Sequence, residues 1–311
     1  KNYNMKRKCI LRGVGLTSIV AGAITLGSCG KNEETSTANS DEKVLRITAI
    51  PDKKVSDQSI KYKALSDYLA TELGVKVEYV NSQDYSASVN RFANNEVQLV
   101  WFGGLTGVQA RARVEGSRAI VQGVVDPMYK SYFIAHESTG LEKSDEFPEG
   151  IADLTFTFGS KKSTSGRLMP TWFIQKETGK TPEEFFSRPI QFTGKASHAG
   201  TANAVNEGSV QAGVLSYKTY DSMVNSGEID PNKAKIIWVT PGYADYNFTV
   251  HPSLDETFGP GFIDKLQTAL IKCKDKAALA VLKREEGLME AKNEDFANIV
   301  TIAKELGFFK E

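Results

Sequence analysis

The sequence predicts an α/β protein built as two lobes. Strand-like and helix-like segments alternate through most of the 311 residues. The alternation comes in two series of similar size, which a pair of α/β sheets accommodates better than one large sheet. The body that follows a polar N-terminal stretch is about 270 residues long, enough for two domains of ordinary size.

Residues 44–50 alternate apolar and polar side chains and run into Pro51-Asp52, a strand ending in a loop. Residues 60–73 carry Ile60, Leu65, Tyr68 and Leu69 at helical spacing, and Gly74 stops them. Residues 75–80 read as a second strand and 85–94 as a helix. A third strand, 97–102, leads through Gly103-Gly104 into a helix ending at Arg113. Strands follow at 119–125 and 132–135. The second series runs as strand 154–158, helix 168–178, strand 190–192, helix 202–207, strand 210–215, helix 217–225 and strand 236–240. Pro170 has no N–H, so the helix near it either starts late or kinks. Phe248-Thr249-Val250 crosses back to the first series, and residues 261–282 and 294–306 are mostly helical. These readings place 44–131 and 248–311 in lobe 1 and 132–247 in lobe 2.

The N-terminus carries an address. Lys6, Arg7, Lys8 and Arg12 form a basic start, residues 16–26 are apolar but diluted with Gly, Ala, Ser and Thr, and Leu26-Gly27-Ser28-Cys29 closes the stretch. That order is a secretory signal over residues 1–28 with a lipoprotein cleavage site. The apolar run is shorter than the roughly 20 residues that span a bilayer. Residues 29–43 are polar and lack aromatics. They read as a flexible tether from a lipidated Cys29, which attaches the body to a membrane by its lipid alone. Removal of residues 1–28 takes away Lys1, Lys6, Arg7, Lys8 and Arg12 and no acid, so the formal net charge moves from zero to minus five. An acidic body argues against nucleic acid as a partner. An anionic ligand would have to be held by local geometry, since the bulk charge would not steer it in. With Cys9 in the signal and Cys29 lipidated, Cys273 stands alone. That excludes an internal disulfide and a structural zinc cluster, and no cofactor is expected.

In α/β sheets, ligands sit beyond the carboxyl ends of strands, beside helix N-termini. Four such junctions stand out. In Phe158-Gly159-Ser160-Lys161-Lys162-Ser163-Thr164-Ser165-Gly166-Arg167 a strand ends and hydroxyls cluster before a helix. Helix-terminal N–H groups and hydroxyls there suit an anion, although an ordinary capped helix reads the same way. In Val100-Trp101-Phe102-Gly103-Gly104 the glycines let backbone approach a ligand, and Trp101 and Phe102 either wall a pocket or fill core. Ala196-Ser197-His198-Ala199-Gly200-Thr201 places a histidine in a loop before a helix, either as a donor to an anion or as an idle surface residue. In Thr240-Pro241-Gly242-Tyr243-Ala244-Asp245-Tyr246 a carboxylate stands between two tyrosines. A carboxylate suits an anion site when the anion keeps a proton to donate to it; a solvated turn is the alternative.

At these positions the chain resembles the phosphonate/phosphite-type substrate-binding proteins of ABC importers, over roughly residues 44–308. The carrying segments are Ala49-Ile50-Pro51-Asp52, Asp84-Tyr85, the runs WFGGLTGVQAR from Trp101 and STSGRLMP from Ser163, Ser197-His198 and Asp245-Tyr246. The resemblance implies a type II periplasmic-binding-protein fold with a hinge and a ligand cleft between its lobes. It implies that Ser163, Thr164 and Ser165 grip oxyanion oxygens, with His198 as donor and Asp245 as acceptor. Tyr85, Tyr129, Tyr243 and Tyr246 match cleft aromatics, and Trp101 stays a candidate pocket wall by its place before the glycine pair. Two departures are visible. Lys162 stands where the family carries a small hydroxylic residue, and the family's SHDAT reads Ser197-His198-Ala199-Gly200-Thr201.

The expected function is that of an extracytoplasmic lipoprotein receptor for phosphite or a short alkylphosphonate, monomeric, serving the permease and ATPase of an importer. Selenate or sulfate capture by the same site, and sensing in place of transport, are the alternatives. The sequence holds no metal cluster, no Ser-His-Asp pattern and no phosphate-loop lysine motif, so an enzyme is not expected.

Overall fold

The structure is a computed structural model that describes residues 43–51, 58–193 and 197–309. The expected signal, Cys29, the tether up to residue 42 and Asp52 lie outside the described residues.

Two sheets form. The first contains β1 (Val44–Ala49), β2 (Lys76–Tyr79), β3 (Leu99–Phe102), β4 (Arg118–Gly123), β10 (Asn247–Val250) and β11 (Leu288–Glu290), in the order β11-β4-β10-β3-β1-β2. The second contains β5 (Ser131–His136), β6 (Phe156–Phe158), β7 (Gln191–Phe192), β8 (Ala212–Ser216) and β9 (Ala234–Val239), in the order β7-β6-β8-β5-β9. β1 is parallel to β2 and β3, and β10 returns antiparallel between β3 and β4. The inner strands β3, β8 and β10 are buried at every residue. That is why β3 and β8 read as nearly unbroken apolar or small runs; β10 alternates, and its buried polar pair Asn247 and Thr249 is satisfied by Arg111.

Helices flank the first sheet: α1 (Gln58–Leu73), α2 (Tyr85–Ala93) and α3 (Gly104–Arg113), with α8 (Ser253–Phe258), α9 (Phe262–Lys272), α10 (Lys276–Leu282) and α11 (Ala297–Glu305) from the tail. The second sheet carries α4 (Met169–Thr178), α5 (Pro182–Phe185), α6 (Ser197–Asn206) and α7 (Tyr217–Asn225). The chain passes between the sheets near Tyr129 and again near Tyr243. The two passages bond to each other, with Tyr129 N–H donating to Tyr243 O at 2.9 Å and Tyr243 N–H to Tyr129 O at 3.0 Å.

Three local expectations change. Thr164–Leu168 forms a π-helical turn, and α4 starts only at Met169. The turn runs into α4 through helical Leu168 and Met169, so Pro170 follows a π turn, and the carbonyls near its missing N–H are satisfied elsewhere: Ser165 O by the Ser131 hydroxyl and Gly166 O by Gly159 N–H. α6 begins at Ser197, which moves His198 from a surface loop into a helix's first turn, 0 % exposed. The tail segment 261–282 is broken by Cys273, a non-helical cap, into α9 and α10. No helix among the described residues is long and apolar enough to cross a membrane.

Candidate functional site

Four helix N-termini meet. Leu105 N–H, at the start of α3, donates to Thr164 Oγ1 at 2.9 Å. Tyr85, the first residue of α2, donates its hydroxyl to Ser197 Oγ at 3.3 Å. Ser163 Oγ lies 3.4 Å from His198 Nε2. The helices come from both sheets and point their N–H-rich ends inward. An arrangement of that kind favours negative charge.

The Ser163–Ser165 turn is built by its own sequence. Ser163 caps the π-helical turn, accepting from Gly166 N–H at 2.9 Å, and Gly159 N–H donates to Gly166 O at 3.0 Å. A single π turn leaves the first N–H groups of the segment without intrahelical partners, a recurrent device at binding sites. Gly159 and Gly166 approach so closely that a Cβ on Gly166 would stand 3.1 Å from His198 Cε1 and 3.3 Å from Gly159 Cα. Ser165 Oγ, fully buried, has no hydrogen-bond partner among the described residues. Its neighbour Ser131 instead takes the Ser165 carbonyl, at 2.7 Å.

His198 is held in one tautomer. Ser216 N–H donates to His198 Nδ1 at 3.2 Å, so in the neutral ring the proton sits on Nε2, on the side of Ser163. Ser216 Oγ also shares a hydrogen bond with the Tyr129 hydroxyl, a role that the sequence does not signal.

Asp245 is 0 % exposed. Its Oδ1 accepts from Gly104 N–H at 2.8 Å, while Oδ2 has no partner among the described residues. Burial pushes the carboxyl up to about 7, against the Gly104 N–H and the Thr164 hydroxyl, which favour the ionised form. Close approach explains Gly103: a Cβ there would stand 3.1 Å from Thr164 Oγ1 and 3.2 Å from Asp245 Oδ1.

The expected residues are thus brought together unevenly. Ser163, Thr164, Ser165, His198, Asp245 and Tyr85 gather where the four helix ends meet, each but Ser165 by a side-chain hydrogen bond at that junction. Tyr243 and Tyr129 are buried beside it, but their hydroxyls bond Ser131 and Ser216. Trp101 and Tyr246 stack on each other at 5.6 Å. Lys162 faces solvent in a groove with Asn90, Arg113 and Phe308, outside the cluster. The sequence reading gave Ser197 no role of its own and missed Ser131, Ser216 and the pair Asp126–Arg284, whose atoms approach to 2.6 Å beneath the aromatics. Arg284 lies in the run Lys283-Arg284-Glu285-Glu286, which looks solvated in sequence. Among the described residues no cluster of His, Cys, Asp and Glu is placed to hold a metal.

Comparison with known proteins agrees with this geometry. Residues 47–296 match the family described as ABC transporter, phosphonate, periplasmic substrate-binding protein. A probable ABC transporter phosphite binding protein, PhnD1 of Prochlorococcus marinus, is 32 % identical over 273 residues, covering 86 % of this chain and 91 % of that one. A phosphate-import protein, PhnD of Mycolicibacterium smegmatis, is 28 % identical over 267 residues, covering 81 % of this chain and 79 % of that one. The crystal structure of PhnD1 from Prochlorococcus marinus in complex with methylphosphonate superposes with a TM-score of 0.79 at 31 % identity, covering 86 % of this chain and 99 % of that one. A binding protein component of an ABC phosphonate transporter from Pseudomonas aeruginosa shares the fold, with a TM-score of 0.71 at 20 % identity over 84 % of this chain and 86 % of that one. These relatives are binding proteins, not enzymes, and their fold is the two-lobed type II fold expected above. The chain belongs to the periplasmic substrate-binding proteins of phosphonate-type ABC transporters.

Proposed function

We propose that this protein closes its two lobes, 44–131 with 248–311 and 132–247, on phosphite or a short alkylphosphonate, and delivers it to an importer's permease and ATPase. The observation that carries the reading is a pair of buried polar atoms, Ser165 Oγ and Asp245 Oδ2, that have no hydrogen-bond partner among the described residues, in a cluster where four helix N-termini meet. A buried polar atom without a partner costs about 1–3 kcal/mol, and a ligand that bonds both recovers that cost. The methylphosphonate bound by the PhnD1 relative supports the ligand class.

Each group has a part. Ser163, Thr164 and Ser165, with the π-turn N–H groups, donate to the anionic oxygens, and His198 Nε2–H adds a neutral donor. Tyr85 reaches across from the first lobe. Asp245 and the ligand hold one proton between them: either Asp245 donates from Oδ2, or it accepts from a P–O–H group. When both are ionised, the two negative charges repel, so a doubly ionised ligand is refused above neutral pH. Above neutral pH this favours phosphite and phosphonates, which can take up the shared proton, over selenate and sulfate, which cannot.

Anchoring is part of the same reading: the signal of residues 1–28 is cleaved, Cys29 is lipidated, and the monomer is tethered outside the cytoplasmic membrane. Calorimetry of the mature body tests the ligand. Phosphite or methylphosphonate should bind more tightly than sulfate and selenate at pH 8. Equal affinity for sulfate would sink the proton-sharing argument, and no binding of any phosphorus oxyanion would sink the function. A Cys29→Ala protein should lose membrane retention; a retained one would remove the lipid anchor.

A further inference from the structure

Arg284 follows α10 and is 1 % exposed. Its Nε and Nη2 donate to Asp126 Oδ2 and Oδ1 at 2.8 and 2.6 Å, and Nη1 donates to the carbonyls of Leu282 and Lys283 at 2.9 and 3.0 Å. The guanidinium carbon lies 4.9 Å from the ring centroid of Tyr246, 5.2 Å from Tyr129 and 5.4 Å from Trp101. Tyr246 packs on both other rings, at 5.2 Å from Tyr129 and 5.6 Å from Trp101. Aromatic faces gathered around one cation are how proteins capture ammonium groups. Here the cation is the protein's own. Gly123 shows how closely it is fitted: a Cβ there would stand 2.4 Å from Arg284 Cδ and 2.5 Å from Asp126 Oδ2.

This cage adjoins the oxyanion cluster. Tyr246 is the residue after Asp245, and Asp245 N–H donates to Asp126 O at 3.2 Å. Tyr129 bonds Ser216, whose N–H fixes His198.

We propose that Arg284 is a specificity-determining residue: by filling the cage of Trp101, Tyr129 and Tyr246 from within the protein, it limits the site to phosphorus oxyanions bearing hydrogen or a short uncharged group and refuses those with an ammonium arm. The proposal rests on the oxyanion reading above. An ammonium arm would meet aromatic faces already engaged by a guanidinium that four hydrogen bonds hold in place. Asp126 offers it little, because its charge is already matched by Arg284 at both oxygens and Oδ2 also accepts from Gly123 N–H at 2.7 Å. Asp245, the remaining carboxylate, is pushed up by burial to about 7 and is poorly suited to a permanent cation.

Calorimetry with methylphosphonate, ethylphosphonate and 2-aminoethylphosphonate tests this in the wild type and in the double variant Asp126→Asn/Arg284→Gln, which removes both charges together and empties part of the cage. Ethylphosphonate separates the size of the arm from its charge. The wild type should prefer ethylphosphonate to 2-aminoethylphosphonate, and the double variant should shrink that preference by about tenfold or more. An unchanged preference in the folded double variant, or equal binding of the two by the wild type, overturns the proposal. Should the double variant fail to fold, Arg284→Lys serves. Its shorter, unforked cation leaves part of the cage open and should shrink the preference in the same direction; an unchanged ratio there also overturns it. A wild type that binds none of the three phosphonates would overturn the oxyanion reading itself.

Discussion

Replacing Asp245 by asparagine should make the ligand-free protein more stable at alkaline pH and abolish one pH dependence of binding. Asparagine keeps the shape and the acceptor for Gly104 N–H, which now stands 2.8 Å from Oδ1. It removes the charge. In the wild type the carboxyl rises from its ordinary 3.8 to about 7, with burial as the main cause. The raised value means that the folded state binds the proton more tightly than the unfolded state. Below the unfolded value both states are protonated, and the group has no effect. As pH climbs from there to the folded value, the unfolded state has released its proton while the folded state still holds it, so stability falls. Above it the whole penalty is present. Three powers of ten in proton affinity correspond to an upper bound on the order of 4 kcal/mol. Urea denaturation of both proteins at about pH 4.5 and pH 8 reads the gap directly. The variant should gain on the wild type by about 2–4 kcal/mol between the two conditions. With ligand, the asparagine Nδ2 offers only donors where Oδ2 stood, so affinity for a fully ionised oxyanion should improve and flatten with pH, while the wild type weakens above about pH 7. A stability gap that stays constant with pH would refute the buried, proton-holding role of Asp245.

Three other predictions follow the same physics. Ser165→Ala removes a buried hydroxyl that has no well-formed hydrogen bond among the described residues, with only the Tyr243 hydroxyl close by; it should change the melting temperature little, yet weaken methylphosphonate binding by about 1.5–3 kcal/mol, the range for a hydrogen bond to a charged group, in calorimetry. Gly103→Val places branched carbons beside Thr164 Oγ1 and Asp245 Oδ1, where even a Cβ would stand at 3.1 and 3.2 Å; it should hold the lobes apart, seen as a larger radius of gyration in solution scattering with ligand and about tenfold weaker binding or worse. Arg284→Ala alone strands the buried Asp126 carboxylate, and equilibrium unfolding should show a loss of about 3–5 kcal/mol, well beyond the loss for the paired Asp126→Asn/Arg284→Gln protein. Equal losses in those two proteins would show that burial, not the ion pair, governs this position.

Strands and helices were legible because their patterns are local. The unbroken run Leu99-Val100-Trp101-Phe102 marks an inner strand, and Ser-Thr-Ser before Gly166 marks a helix entry. Errors arose where a boundary depends on distant partners. His198 looked like a loop residue because Ala199-Gly200 is a poor helix start. The helix begins at Ser197 all the same, for Ser160 N–H and the Tyr85 hydroxyl both bond Ser197 Oγ, from 37 and 112 positions away.

By itself, the sequence determined the alternation of α and β elements, the export-type N-terminal pattern and the hydroxyl-rich helix entry that suits an anion. Each follows from residues near one another in the chain, whose periodicity and capping chemistry act within a turn or a strand. Only the tertiary structure decided which polar atoms are left without a partner, because that is a sum over neighbours from the whole chain. It put Asp245 where burial holds its proton to about 7. It also turned Arg284, part of a charged run that would ordinarily face water, into a buried cation paired with Asp126 from 158 residues away.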